Sequence, residues 1–227
     1  MSKQHTERVP CLKCGEVNEF AIWDNIDTET NPEAKKLLLS GEIFMYKCQK
    51  CGAIMQSMND CYYHQVEEKI MIQVLHSKED ADDVDIALKA IPLQGYPGYT
   101  LRIVRNHNQL REKVYIFNQG LDDRVIEIIK AIVIIEGLKE YSDEMHGRIF
   151  PELLLDINDG APKSFTVIWR MLKDDKWTPF KTTKLPFDWE IYDDIRANLI
   201  DPDDDGKKIY FVNDQWALNY LKIHNPQ

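Results

Sequence analysis

The sequence predicts an α+β fold: an N-terminal four-cysteine ribbon with a helical insertion, followed by a mixed helix and strand module. Three observations predict it. Four of the five cysteines fall in two Cys-x-x-Cys-Gly motifs, Cys11-Leu12-Lys13-Cys14-Gly15 and Cys48-Gln49-Lys50-Cys51-Gly52. The segment between them carries both strand and helix signals. Beyond them, short runs of aromatic and β-branched residues are interspersed with segments of helical periodicity, without an internal repeat.

Each motif places two thiols on one tight turn, and the glycine lets backbone N–H groups approach the sulfurs. Two such turns facing each other make a closed tetrahedral site, the usual arrangement for structural zinc, so Cys11, Cys14, Cys48 and Cys51 are the expected ligands of one Zn²⁺. Glu19-Phe20-Ala21-Ile22-Trp23 reads as a strand. Asn31-Pro32-Glu33 has the form of a helix start, with a capping side chain, proline at the first helical position and an acid in the first turn. Leu37, Leu38 and Leu39 supply the apolar face of that helix, and Gly41 stands where a C-cap glycine would. Ile43-Phe44-Met45-Tyr46 then leads as a strand into the second cysteine pair. Two strands ending at paired cysteines and bridged by a helical excursion describe a zinc ribbon with an insertion.

The sequence resembles the CpXC-domain family, named for two Cys-Pro-x-Cys knuckles about this far apart. Besides the knuckles, the resemblance is carried by Ile22-Trp23-Asp24-Asn25-Ile26, Asn31-Pro32-Glu33, Cys61-Tyr62-Tyr63-His64-Gln65 and Lys69-Ile70-Met71-Ile72. It continues through Leu101 to Arg105, Leu110 to Lys113 and Gly120 to Glu127, covering roughly the first 135 residues. Leu12 and Gln49 replace the two prolines, and Gln65 stands where the resemblance leads one to expect Asp. Losing the prolines makes each turn less rigid but removes no ligand, and Gln65 weakens any idea that His64 works with an acid at that position. What the resemblance implies is a metal-binding ribbon; it implies no reaction.

Cys61 and His64 have zinc-ligand spacing, but four thiolates already close the site. Cys61 is therefore expected to be a small buried hydrophobe, and His64 a hydrogen-bonded structural histidine. Ile70 to Leu75 reads as a buried strand. The acidic run Ser77 to Asp83 starts a helix carrying Val84, Leu88 and Ile91, and marks a boundary between a zinc-ribbon module at 1–78 and an α+β module at 79–227. Tyr99 to Arg105 is a strand. Asn108 is placed to cap a helix with Leu110, Val114 and Phe117 inward and Arg111 and Lys113 outward. Asp122 caps the next, whose Val125, Ile126, Ile129, Ile132 and Val133 recur at helical spacing. Phe150 to Asp156, Ser164 to Leu172 and Trp177 to Thr183 are strands, the last two joined as a hairpin. Asp188 caps a helix, Ile209 to Val212 is a strand, and Asp214 caps a final helix.

The chain of 227 residues has a net charge of −10. Residues 1–77 carry 8 Lys and Arg against 11 Asp and Glu, and the remainder 20 against 27. Phosphate contacts need a basic face, so the charge disfavours nucleic acid and protein is the expected partner, with only the surroundings of Lys35, Lys36, Lys47 and Lys50 locally basic. Paired cysteines without an apolar leader belong with a reducing compartment, which points to the cytoplasm. Val125 to Ile135, the most apolar segment, is too short to span a bilayer. Asp201 to Gly206 supplies acids at positions 1, 3 and 5 of a calcium loop, but Val212 occupies position 12 where the bidentate Glu belongs, and Asp156 to Gly160 is a weaker match. No nucleophile elbow, phosphate loop or dinucleotide fingerprint is present.

The leading expectation is thus a zinc-ribbon binding or scaffolding module. Two alternatives stand beside it: iron held by the same four sulfurs for electron transfer, as in rubredoxin, and an enzyme whose site draws on Asp122, Asp123, Asp156, His107 or His146.

Overall fold

A computed structural model describes residues 1–76, 97–141, 147–200 and 211–224. Among these residues are ten strands and five α-helices, an α+β architecture with the four paired cysteines near the N-terminus. The acidic run from Ser77, the calcium-loop match at Asp201 to Gly206 and His146 lie outside the described residues. No helix among the described residues is long and apolar enough to cross a membrane.

The chain divides into two compact units, Met1–Arg111 with Ile209–Phe211, and Glu112–Lys208 with Val212–Gln227. The first unit is built on a five-stranded sheet in the order β1-β2-β5-β6-β7. Its strands are β1 (Lys3–Pro10), β2 (Val17–Asp27), β5 (Cys61–Gln65), β6 (Ile70–Val74) and β7 (Thr100–Val104). β2 pairs with β5 and β6 with β7 in parallel, while the other two pairings are antiparallel. The parallel β6–β7 pairing carries this unit past residue 78, where composition alone places a boundary. Every residue of β6 is buried, and Ile22, Ile26, Tyr63 and Ile72 of this sheet are each almost completely shielded from solvent.

Local sequence explains the insertion. Helix α1 (Pro32–Ser40) starts where the Asn31 side chain accepts from the Ala34 N–H, and ends at Gly41, whose φ of 82° is left-handed. Of its apolar residues Leu38 is buried, but Leu37 is 41% exposed. A 3-10 turn (Glu42–Phe44) then buries Ile43 and Phe44, so the strand expected from Ile43 begins only at Met45. The short hairpin of β3 (Met45–Lys47) and β4 (Ile54–Gln56) carries the second cysteine pair, and stacks Tyr46 on Phe20 of β2 with ring centroids 4.6 Å apart.

Helix α2 (His107–Asn118) is capped by Asn106, whose side chain accepts from the Gln109 N–H, and not by Asn108, which is exposed. Helix α3 (Asp123–Leu138) is capped by Asp122 as expected. In the second unit β8 (Ile149–Leu155), β9 (Ser164–Lys173) and β10 (Lys176–Pro186) form an antiparallel sheet in the order β10-β9-β8. Asp174 and Asp175 turn the β9–β10 hairpin with φ of 50° and 58°, a conformation that a short polar side chain tolerates best among non-glycine residues. Asp188 caps α4 (Trp189–Ala197). The last helix, α5 (Asp214–His224), is capped by Asn213 through the Trp216 N–H, with Asp214 already inside its first turn.

The largest departure from the helical pattern concerns Lys113. The spacing places it outward, yet it is 3% exposed. Its ammonium lies 3.0 Å from Asp123 and 3.0 Å from Glu127, and Lys130 bridges Glu127 and Glu112 at 3.4 Å and 2.5 Å. Glu112 also accepts from the Leu155 N–H at 2.6 Å. Five charged side chains of α2 and α3 are thus buried as one network. Periodicity cannot find it, because each member is tolerated inside only by partners on another stretch of chain.

Candidate metal centre

Each knuckle closes a hairpin, the first joining β1 to β2 and the second joining β3 to β4. Their backbones follow one plan. Cys11 N–H donates to Glu16 O at 2.7 Å and Gly15 N–H to Cys11 O at 2.8 Å; Cys48 N–H donates to Ala53 O at 2.8 Å and Gly52 N–H to Cys48 O at 2.9 Å. Gly15 and Gly52 hold φ of 74° and 69°, the left-handed conformation that the turn requires and that glycine adopts without strain. A proline at the second position of either turn is dispensable to this geometry. Leu12, which stands there in the first knuckle, is 94% exposed.

The four sulfurs lie within 4.8 Å of one another, with Cys11 and Cys51 3.6 Å apart and Cys14 and Cys48 3.7 Å apart. Four sulfurs at a zinc–sulfur distance of about 2.3 Å from one tetrahedral ion are about 3.8 Å apart. These two separations, each between one knuckle and the other, match those of a metal tetrathiolate. All five cysteines are free thiols.

The electrostatics agree with a cation at the centre. The N–H groups of Lys13 and Cys14 lower the Cys11 thiol, and those of Cys51 and Lys50 bring Cys48 down to about 6. Cys14 receives the Glu16 N–H, but desolvation and the neighbouring sulfurs push it up to about 12. Four thiols this close cannot ionise together unaided, and a bound metal cation would supply the missing charge. With all four positions taken by sulfur, such a site has no open coordination position for water or substrate.

One further residue, which no sequence motif marks, belongs to the centre. Asn18, 4% exposed at the start of β2, donates from Nδ2 to Glu16 O at 3.0 Å and toward the Cys48 sulfur at 3.6 Å. Its Oδ1 accepts from the Gln49 N–H at 3.0 Å. Lys50 and Glu16 pair at 2.9 Å across the same gap. A lone asparagine three residues after a glycine carries no sequence signal of such a role, since its partners in the second knuckle, Cys48 and Gln49, are 30 and 31 residues away.

The other candidates are occupied elsewhere. Cys61 is 1% exposed on β5, and burial, with Asp60 and Asp24, pushes its thiol up to about 12. His64 contacts Asp27 through Nδ1 and the Tyr99 hydroxyl through Nε2, each at 3.2 Å, so an acid does face it, though not at position 65. Gln65 instead accepts from the buried Tyr63 hydroxyl at 2.7 Å. Asp122 caps α3 and pairs with Arg124 at 2.8 Å, while Asp123 is inside the buried network. Asp156 accepts from Ser164 and Thr166, each at 2.6 Å, and pairs with Lys184 at 3.1 Å. His107 is stacked on Phe44 and bonded to Asn59 O at 3.1 Å. Cys61 is thus a buried thiol, and each of the other groups has structural partners.

Compared with known families, residues 9–130 match the family model described as CpXC protein. No curated protein and no solved structure matches the chain.

Proposed function

The chain belongs to the CpXC protein family, and from that premise we propose that Cys11, Cys14, Cys48 and Cys51 hold one Zn²⁺ whose task is structural. The observation that carries this reading is the pair of sulfur separations between the knuckles, 3.6 Å and 3.7 Å, which suit a metal tetrathiolate. When bound, the ion supplies charge compensation and a cross-link between two hairpins. The residues do the rest: the backbone amides of each knuckle orient the sulfurs, and the closed ligand set leaves no place for water activation. Binding free energy for structural zinc is on the order of 10–16 kcal/mol, enough to decide whether the two knuckle hairpins stay docked.

We read the folded ribbon as a binding or scaffolding module whose partner is a protein, working in a reducing compartment such as the cytoplasm. The net charge of −10 argues against a nucleic-acid partner. The all-sulfur ligand set suits iron as well, which keeps rubredoxin-like electron transfer as the second reading. Colour separates the two, since an iron(III) tetrathiolate is red and a zinc site colourless. The test of the structural role is a Cys48→Ser variant. It should lose the metal, and the two knuckle hairpins should become sites of limited proteolysis. A variant that loses the metal but resists protease like the wild type would refute it.

A further inference from the structure

We propose that Asn18 is the positioning residue of the metal centre: its side-chain amide ties the two knuckles together and donates to the Cys48 sulfur. The inference rests on the reading of the four cysteines as metal ligands, and goes beyond it by assigning a role to a residue outside the ligand set.

The two knuckles are near copies of each other. In each, the first cysteine receives the N–H groups two and three residues on, Lys13 and Cys14 for Cys11, Lys50 and Cys51 for Cys48. Asn18 breaks that equivalence. It belongs to the hairpin of the first knuckle, where Nδ2 is anchored on Glu16 O at 3.0 Å, yet it reaches the second knuckle twice. Oδ1 accepts from the Gln49 N–H at 3.0 Å, and Nδ2 lies 3.6 Å from the Cys48 sulfur. Three contacts from one buried amide span the gap that a metal must also span. A carboxamide is the group that does this, because it offers a donor and an acceptor on one planar head. An N–H directed at a thiolate draws electron density from the sulfur, so the Cys48–metal bond should be less electron-rich than the other three. Outer-shell partners of this kind typically change metal affinity 10–100-fold when removed.

The test uses the full-length chain as wild type, Asn18→Ala and Asn18→Asp. Affinity for Zn²⁺ is measured by competition with a chromophoric chelator, and the sulfur-to-metal charge-transfer band is recorded after loading with Co²⁺. Asn18→Ala removes all three contacts and should weaken Zn²⁺ binding by about 10–100-fold. Asn18→Asp keeps the shape and the acceptor for Gln49, but turns a carboxylate oxygen toward the Cys48 sulfur. It should weaken binding at least as much, and it remains informative if the alanine variant does not fold. The charge-transfer band should move to lower energy in each variant that loads, a shift that loss of packing alone would not produce. Wild-type affinity and an unmoved band in Asn18→Asp overturn the proposal. A wild-type chain that takes up neither Zn²⁺ nor Co²⁺ overturns the metal reading and this inference together, whereas a wild-type chain that loads while both variants behave identically to it overturns the inference alone.

Discussion

Replacing Lys113 by methionine should cost more than any surface substitution in this protein, although its spacing on α2 places it outside. The Lys113 ammonium sits 3.0 Å from both Asp123 and Glu127, and these three side chains are 3%, 1% and 7% exposed. Methionine fills much the same volume, so little cavity is created. What changes is charge: three buried carboxylates, Glu112, Asp123 and Glu127, are left with Lys130 as the remaining lysine of the network. Removing one partner of a buried pair costs about 3–5 kcal/mol, because the other charge stays desolvated and uncompensated. Urea unfolding at pH 7.5 reads this directly. The pH dependence gives a second signature. Burial pushes the Glu127 carboxyl up, but Lys113 and then Lys130 outweigh it and hold it below its ordinary value. In the wild type that depressed group contributes stability above the ordinary carboxyl range, and the contribution is lost as the pH falls through the folded value. In Lys113→Met the largest attraction is gone and the carboxyl rises, so the gap between variant and wild type should narrow as the pH falls from 7.5 to 4.5. Adding Glu127→Gln to Lys113→Met should recover about 1–3 kcal/mol as a coupling term. A loss below about 1 kcal/mol for the single variant, or strict additivity in the pair, would show that the network is solvated and the reasoning wrong.

Three other predictions follow from single sites. His107 is buried, and desolvation, with His76 edge-on beside it, brings it down to about 4. A histidine lowered in the folded state contributes stability that is complete above its ordinary value of about 6.5 and fades as the pH drops toward 4, by up to about 3 kcal/mol. Melting temperature should therefore fall between pH 7.5 and 5, and His107→Phe, still stacked on Phe44, should flatten the profile; an unchanged slope in that variant would count against it. Gly137→Ala should destabilise, although alanine in a helix interior is ordinarily favoured by about 1 kcal/mol. The added Cβ would lie 2.5 Å from Trp169, a side chain only 5% exposed, and overpacking of that kind costs about 1–3 kcal/mol. A raised melting temperature would contradict this. Cys61→Ser should leave the metal content at one per chain, since its buried sulfur lies outside the four-sulfur cluster.

The parts of the fold that the sequence made legible are those fixed locally. Asn31, Pro32 and Gly41 specify both ends of α1, and two Cys-x-x-Cys-Gly motifs specify two turns, because each feature acts within a few residues of itself. Strand β1 is illegible in the sequence for the opposite reason. Lys3 to Pro10 is polar and exposed along nearly its whole length, and is a strand only because β2 supplies its hydrogen bonds. The same holds for the helix caps. Asn106 and Asn108, like Asn213 and Asp214, are equally good capping side chains, and packing one or two residues away decides which of them does it. Lys113 and Asn18 mark the deeper limit. A buried lysine is legible only once Asp123 and Glu127 are known to face it, and Asn18 becomes part of the metal centre only once the two knuckles have been brought together.

The most direct test of the central claim is native mass spectrometry of the full-length chain, with metal identification, on wild type, Cys61→Ser and Cys48→Ser. One zinc ion per chain in the first two and none in the third is the expected result. Metal-free wild type, or a Cys48→Ser variant that retains its zinc while Cys61→Ser loses it, would contradict the four-cysteine site.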